Sequence, residues 1–280
     1  MQSTLNLCCN AIFKISSRNP SILLKVSAFN HCVINRKIHS KQLEDVHFFG
    51  FEKVSPSEKR EKVQSVFSNV AAKYDLMNDV MSAGIHRIWK DYFIHTLSPT
   101  VGTKILDVAG GTGDIALRFL KAAATEDNGA FSDIQDQESH VTVLDINENM
   151  LSICKSRAKE AGVSNSLTCI LGNAEIHRDE ALLEAFRVLR PGGRFLCMEF
   201  SEVKNPTFNR IYHQYSHEII PVLGELIAGD WKSYQYLVES IQKFPNQEEF
   251  AQMIKEAGFS IVTHENLFNG IAAIHSAFKL

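Results

Sequence analysis

The sequence predicts an α/β domain, an open β-sheet with helices between its strands and a nucleotide-like cofactor at the strands' carboxyl ends. Three observations predict it. Ile105, Leu106 and Val108 make an apolar strand that runs straight into Gly110, Gly111 and Gly113, and Ala116, Leu117 and Leu120 follow at helical spacing. Val141, Val143 and Leu144 make a second strand, which ends in the carboxylate of Asp145. Further on, residues 167–200 again read as strand, amphipathic helix and strand. A chain of 280 residues with 45% hydrophobic and 22% charged residues has room for one large α/β domain or two small ones. Its net charge of -3 gives no basis for nucleic-acid binding.

Residues 1–40 differ from the rest. Lys14, Arg18, Lys25, Arg36 and Lys37 are basic, serines are interspersed, and Glu44 is the first acidic residue. That pattern resembles a mitochondrial transit peptide, with a plain disordered tail as the alternative, and processing is expected within residues 36–40. No apolar run approaches the roughly 18 residues of a membrane span. The folded part begins with Ser55-Pro56-Ser57-Glu58, an N-cap, a first-turn proline and a third-position glutamate, so a helix is expected from Pro56. A second helix should carry Ile85, Ile88, Trp89 and Tyr92 on one face and end before Pro99. Between them, residues 73–79 mix polar and aromatic types, which suits a lid over the cofactor and a plain helix connection equally.

At residues 104–116 the glycines let the backbone approach a ligand, and the helix that follows offers free N–H groups at its positive dipole end. Residues 122–140 are rich in Asp, Glu, Gln and Ser and read as a polar insertion without chemistry. Asp145, at a strand end, is placed to accept hydrogen bonds from ribose hydroxyls; it could instead cap the next helix, where Asn147 is an equally good cap. After a third strand at residues 167–171, Asn173 and Ala174 suit contact with an adenine ring, or only a turn. Leu182, Phe186 and Leu189 mark an amphipathic helix stopped by Arg190-Pro191-Gly192-Gly193, and residues 194–200 make another strand. Beyond Ser201, a long helical segment carries Tyr212, Tyr215, Ile219, Ile220, Leu223 and Leu226, which is core packing or the wall of a greasy substrate pocket. Asn246 and Glu249 cap a last helix that Gly258 ends, and residues 260–267 and 271–278 read as antiparallel closing strands joined through Asn269-Gly270. The 6 cysteines show no paired metal spacing and are read as reduced thiols, with no zinc site.

Gly111, Gly113 and Ala116 satisfy the dinucleotide pattern, so NAD and S-adenosylmethionine compete for this loop. Other segments separate them. Tyr74-Asp75-Leu76-Met77-Asn78-Asp79 with His86-Arg87 and Trp89-Lys90, the run from Asp107 to Asp114, Pro191-Gly192-Gly193, Gly229-Asp230-Trp231-Lys232, Tyr236-Leu237-Val238-Glu239-Ser240 and Gly270-Ile271-Ala272-Ala273-Ile274-His275 resemble the quinone-biosynthesis C-methyltransferases, over residues 49–280. The resemblance implies a class I S-adenosylmethionine-dependent methyltransferase fold, Rossmann-like, with N-terminal and lid helices. It implies cofactor contacts at Gly111, Thr112, Gly113, Asp145, Asn173 and Ala174, and substrate-side candidates Tyr74, Asp75 and Asn78. A catalytic base is not assigned and no metal is implied. It further implies a polyprenyl benzoquinol substrate and membership of a multienzyme ubiquinone-synthesis complex. The location it implies is the mitochondrial matrix, in peripheral contact with the inner membrane. Two other classes stay open on the residues alone: a non-catalytic member of that complex and an NAD-dependent oxidoreductase.

One departure from the family pattern bears on the fold. Members continue after the Asn-Ala-Glu motif with a fourth strand and a Gly-Ile-Arg-Asn-like segment whose arginine is a suspected participant in proton transfer. Here only Ile176, His177 and Arg178 separate Glu175 from Asp179, too few for a strand of about 5–6 residues with its loops. The expectation is an internal deletion at residues 175–179, two strands left unpaired in mid-sheet, and impaired cofactor binding and turnover. No residue at a matching position replaces the arginine.

Overall fold

The computed structural model describes residues 10–15, 47–49, 51–54, 58, 62, 65–66, 68, 71–125, 138–172 and 178–280. A seven-stranded sheet has the order β6-β5-β4-β1-β7-β9-β8. Its strands are β1 (Asn10–Ile15), β4 (Lys104–Val108), β5 (His140–Asp145), β6 (Leu167–Leu171), β7 (Arg194–Phe200), β8 (Ser260–Leu267) and β9 (Ala272–Phe278). A separate hairpin pairs β2 (His47–Phe49) with β3 (Glu52–Val54). Among the described residues the longer helices, in chain order, are α1 (Tyr74–Ser82), α2 (Ile85–Leu97), α3 (Asp114–Thr125), α4 (Glu148–Glu160), α5 (Arg178–Val188), α6 (Pro206–Gln214), α7 (Trp231–Gln242) and α8 (Gln247–Glu256), with short helical turns over residues 215–228 joining α6 to α7.

β4, β5 and β6 are parallel, with α3 and α4 as crossovers, and their carboxyl ends share one edge. β7, β9 and β8 pair antiparallel, as expected for the closing strands. The expectation of two unpaired strands in mid-sheet is corrected. β1 lies between β4 and β7, antiparallel to both, with Ala11 opposite Val108 on one side and Cys197 on the other. Two bare strand edges present N–H and C=O groups that any extended segment can satisfy, and Asn-Ala-Ile-Phe-Lys-Ile has the β-branched and aromatic content of a strand. These residues belong to the stretch read as a transit peptide, so a chain processed at residues 36–40 would lack β1.

Both faces of the sheet are covered. On β7, Leu196 joins a core with Phe93, Leu97, Ile105, Phe119 and Val143, while its neighbours Phe195 and Cys197 join another with Leu182, Phe250, Ile254 and Phe259. That is the two-sided burial of a doubly covered sheet. A third cluster, around Met77, Met150, Ile220, Tyr234 and Leu237, brings in Phe200 at the end of β7 and so lies at the strands' carboxyl ends.

Several local expectations change. The face of α2 is only half the one read from spacing: Ile85 and Trp89 line a cavity and Trp89 packs against the core, but Ile88 is 67% and Tyr92 38% exposed. The buried residues Phe93, Ile94 and Leu97 lie in the later turns. Residues 73–79 form the start of a regular helix, α1, preceded by a 3-10 turn. α7 was read only as motifs; Asp230 caps it, and Tyr234, Leu237, Val238 and Ile241 carry the inward spacing. The polar insertion is shorter than expected, since residues 122–125 continue α3 and His140 opens β5; residues 126–137 lie outside the described residues. Residues 55–57, the proposed cap before Glu58, also lie outside them, while Glu58, Lys62, Val66 and Ser68 are helical.

Candidate active site

The turn after β4 is built from residues in left-handed backbone, Ala109 (φ 56), Gly111 (φ 53) and Gly113 (φ 78). Its glycines serve different ends. A Cβ on Gly110 would lie 2.7 Å from Asp107 Oδ2 and from Val143 Cγ1, and one on Gly113 would lie 2.4 Å from Cys154 Sγ, so these two let the turn pack down on β4, β5 and α4. A Cβ on Gly111 would meet nothing within 4 Å, and the residue lines a cavity of about 450 Å³. Gly111 is therefore the point at which a ligand can touch backbone. α3 begins just beyond, at Asp114, with the unsatisfied N–H groups and positive dipole end of any helix start.

Asp145 closes the turn from the β5 side. Its Oδ2 accepts from the Gly111 N–H at 2.9 Å and its Oδ1 from the Asn147 N–H at 2.8 Å. Asn147 caps α4, accepting from the Met150 N–H at 3.1 Å, so the cap is Asn147 and Asp145 is free of that duty. A carboxylate oxygen accepts two hydrogen bonds, so Asp145 keeps capacity for a ligand's hydroxyls while facing the cavity. Beneath the turn, Asp107 is fully buried and neither oxygen has a hydrogen-bond partner among the described residues. Burial, and then the negative charge of Asp145, push its carboxyl up to about 8.

α1 and α2 are pinned to this turn by charge. Arg157 on α4 donates to Thr112 Oγ1 at 3.0 Å and pairs with Asp75. Lys90 Nζ lies 2.8 Å from Asp114 Oδ2, and Arg118 holds the other oxygen of Asp114. Asp79 takes both Arg87 and His86 Nε2, and burial holds the His86 imidazole below its ordinary pKa.

A cavity of about 450 Å³, within the range of small-molecule sites, joins these parts. The glycine turn, Asp145 and Ile146 line one part; Tyr74, Asn78, His86 and Lys90 line another; Phe208, Ile211, Tyr212, Tyr215 and Ile220 give an apolar wall. Of the sequence-predicted residues, the structure thus brings Gly111, Thr112, Asp145, Tyr74 and Asn78 to one cavity. Gly113 sits behind the turn against Cys154, and Asp75 holds Arg157. Asn173 and Ala174 lie outside the described residues. Tyr212 and Tyr215 take the pocket-wall alternative offered for their helical segment. Sequence reasoning missed Phe208 and Ile211, whose helical spacing before Tyr212 and Tyr215 was the available signal, and Phe268, which sits in a strand connection.

Residues 55–178 and 173–279 match the profile of the ubiE/COQ5 methyltransferase family. The mitochondrial 2-methoxy-6-polyprenyl-1,4-benzoquinol methylase of Bos taurus is 51% identical over 282 aligned positions, which take in 86% of this chain and 85% of that protein. Because 86% of 280 residues is about 241, about 41 of those 282 positions have no counterpart here. Proteins of the same name are 49% identical in Homo sapiens, covering 86% of each chain, and 46% identical in Drosophila melanogaster, covering 85% of this chain and 86% of that one.

Proposed function

The chain belongs to the ubiE/COQ5 methyltransferase family, and on that footing we propose that it methylates a ring carbon of a polyprenylated methoxy-benzoquinol with S-adenosylmethionine as donor. One observation carries the reading: a single cavity has the glycine turn and Asp145 at one part and polar Tyr74 and Asn78 beside an apolar helical wall at another.

The residues present fit the donor. Gly111 offers open backbone to a ligand, and Asp145, whose carboxylate closes the turn, has acceptor capacity facing the same cavity. Gly111 and Thr112 would hold it along the turn and Asp145 at the ribose, with Gly113 supporting the turn from behind and Asn173 and Ala174 carried over from the family resemblance for the adenine. When bound, it supplies an electrophilic methyl group.

The chain's own contribution is placement. Tyr74 and Asn78 supply hydroxyl and amide groups for the ring oxygens, and the wall from Phe208 to Ile220 covers the tail and excludes water. An electron-rich quinol ring held against the donor needs orientation more than covalent help from the protein. Matrix residence, peripheral contact with the inner membrane and membership of a ubiquinone-synthesis complex belong to the same proposal. No helix among the described residues is long and apolar enough to cross a membrane.

The test is paired. S-adenosylhomocysteine should raise the melting temperature, and a short-chain methoxy-benzoquinol incubated with labelled S-adenosylmethionine should gain one methyl on carbon. A rise with NADH instead would overturn the assignment in favour of an oxidoreductase. Stabilisation by neither ligand would favour a non-catalytic assembly protein.

A further inference from the structure

Two thiols lie directly beneath the glycine turn. Cys154 Sγ on α4 is 3.6 Å from Cys169 Sγ on β6. The same Cys154 sulfur packs against Gly113, where a Cβ would come within 2.4 Å of it. One atom therefore touches both the cofactor turn and a second thiol. Cys154 is fully buried, whereas Cys169 is half-buried on the edge strand of the sheet.

We propose that Cys154 and Cys169 form an oxidative modification site, in which a hydroperoxide joins them as an intramolecular disulfide that withdraws support from the glycine turn. Cys169, the more accessible, attacks the peroxide oxygen; its O–O bond breaks, water leaves from hydrogen peroxide or the alcohol from an alkyl hydroperoxide, and Cys169 becomes a sulfenic acid. Cys154 then attacks that sulfur, the S–O bond breaks, and the hydroxyl departs as water with the thiol proton. Two thiols are oxidised and one hydroperoxide is reduced, to two waters for hydrogen peroxide. Burial holds the Cys154 thiol above its ordinary pKa, so Cys169 and not Cys154 takes the first step, and Cys154 reacts second because its sulfur is already beside the sulfenic acid.

The consequence follows from distance. A disulfide is about 2.05 Å long, so the sulfurs must close by roughly 1.5 Å. β6 is laddered to β5 along its length, so α4 yields more easily. The Cys154 sulfur leaves Gly113, and α4 also carries Arg157, the partner of Thr112 and Asp75. Oxidation should therefore weaken ligand binding at the turn by roughly 5- to 30-fold, equivalent to about 1–2 kcal/mol of binding free energy.

The full-length reduced protein is treated with hydrogen peroxide, free thiols are blocked with iodoacetamide, and a non-reducing digest is mapped by mass spectrometry beside titration with S-adenosylhomocysteine. The expected result is a link between the Cys154 and Cys169 peptides, a lower affinity, recovery with dithiothreitol, and no response in Cys169→Ser. Alkylation of both thiols after peroxide would overturn the proposal, as would a link that leaves affinity unchanged. The affinity arm rests on the methyl-donor reading, but the peptide map does not. If the reduced protein fails to bind S-adenosylhomocysteine, that reading falls, and protease cleavage at residues 109–114 decides whether the link loosens the turn.

Discussion

Replacing Asp107 by asparagine should flatten the dependence of stability on pH. The carboxyl is fully buried, has no hydrogen-bond partner among the described residues, and is pushed from an ordinary value of 3.8 up to about 8, first by burial and then by Asp145. The folded chain therefore keeps a proton that the unfolded chain releases at about pH 4. Across the window from about 4 to 8 the folded state binds more protons, so stability falls as pH rises, by about 1.4 kcal/mol per unit. The penalty is absent below about 4 and complete above about 8. Between about pH 5.5 and 7.5 it grows by about 2.7 kcal/mol, which at roughly 2–4 °C per kcal/mol for a domain of this size is a Tm loss of about 5–10 °C. Asparagine has the same shape and no charge to bury. Its amide adds an offset that is constant with pH, so the quantity to read is the slope. Thermal melts of both proteins at the two pH values measure it. Parallel curves would mean that Asp107 is ionised in the fold, and would refute the reasoning.

The two glycines of the turn should separate stability from binding. Gly110→Ala drives a methyl into Asp107 and Val143 and should cost about 1–3 kcal/mol in denaturant melts. Gly111→Ala meets open space and should lose S-adenosylhomocysteine affinity by more than the roughly 1 kcal/mol that left-handed backbone costs an alanine. Asp145→Ala removes the acceptor for the Gly111 and Asn147 N–H groups, and calorimetry should give an affinity loss of about 10-fold or more with a smaller effect on Tm. A chain starting at Lys41 lacks β1 and should melt lower and bind S-adenosylhomocysteine more weakly; equal melting would mean that β1 contributes nothing to the sheet. A version with a fourth strand inserted between Glu175 and Asp179, which must displace β1 from between β4 and β7, should bind more tightly and methylate faster than this chain, and equal turnover would mean that β1 serves the sheet as well as that strand.

How legible the molecule was depended on how local each signal is. Asn147, Asn246 with Glu249, and the strands from Arg194 and Ser260 were readable because caps and alternation are written within a few residues. The glycine turn was readable for the same reason, but the division of labour within it was not. That Gly110 faces Asp107 and Gly113 faces Cys154 depends on which residues other elements bring beneath the turn. Asp75 shows the same limit from the substrate side: a polar residue in a lid motif looks like a ligand contact until Arg157, 82 positions along the chain, is found to hold it. The fourth-strand position is the furthest case. Counting residues after Glu175 established that no local strand could fill it, but what fills a slot between two strands is decided by which extended segment can reach both edges. Residues 10–15 reach them from a stretch whose basic, serine-rich composition reads as an address and not as sheet. Composition describes what a segment does when it has no partner, and β1 acquires its structure only from β4 and β7.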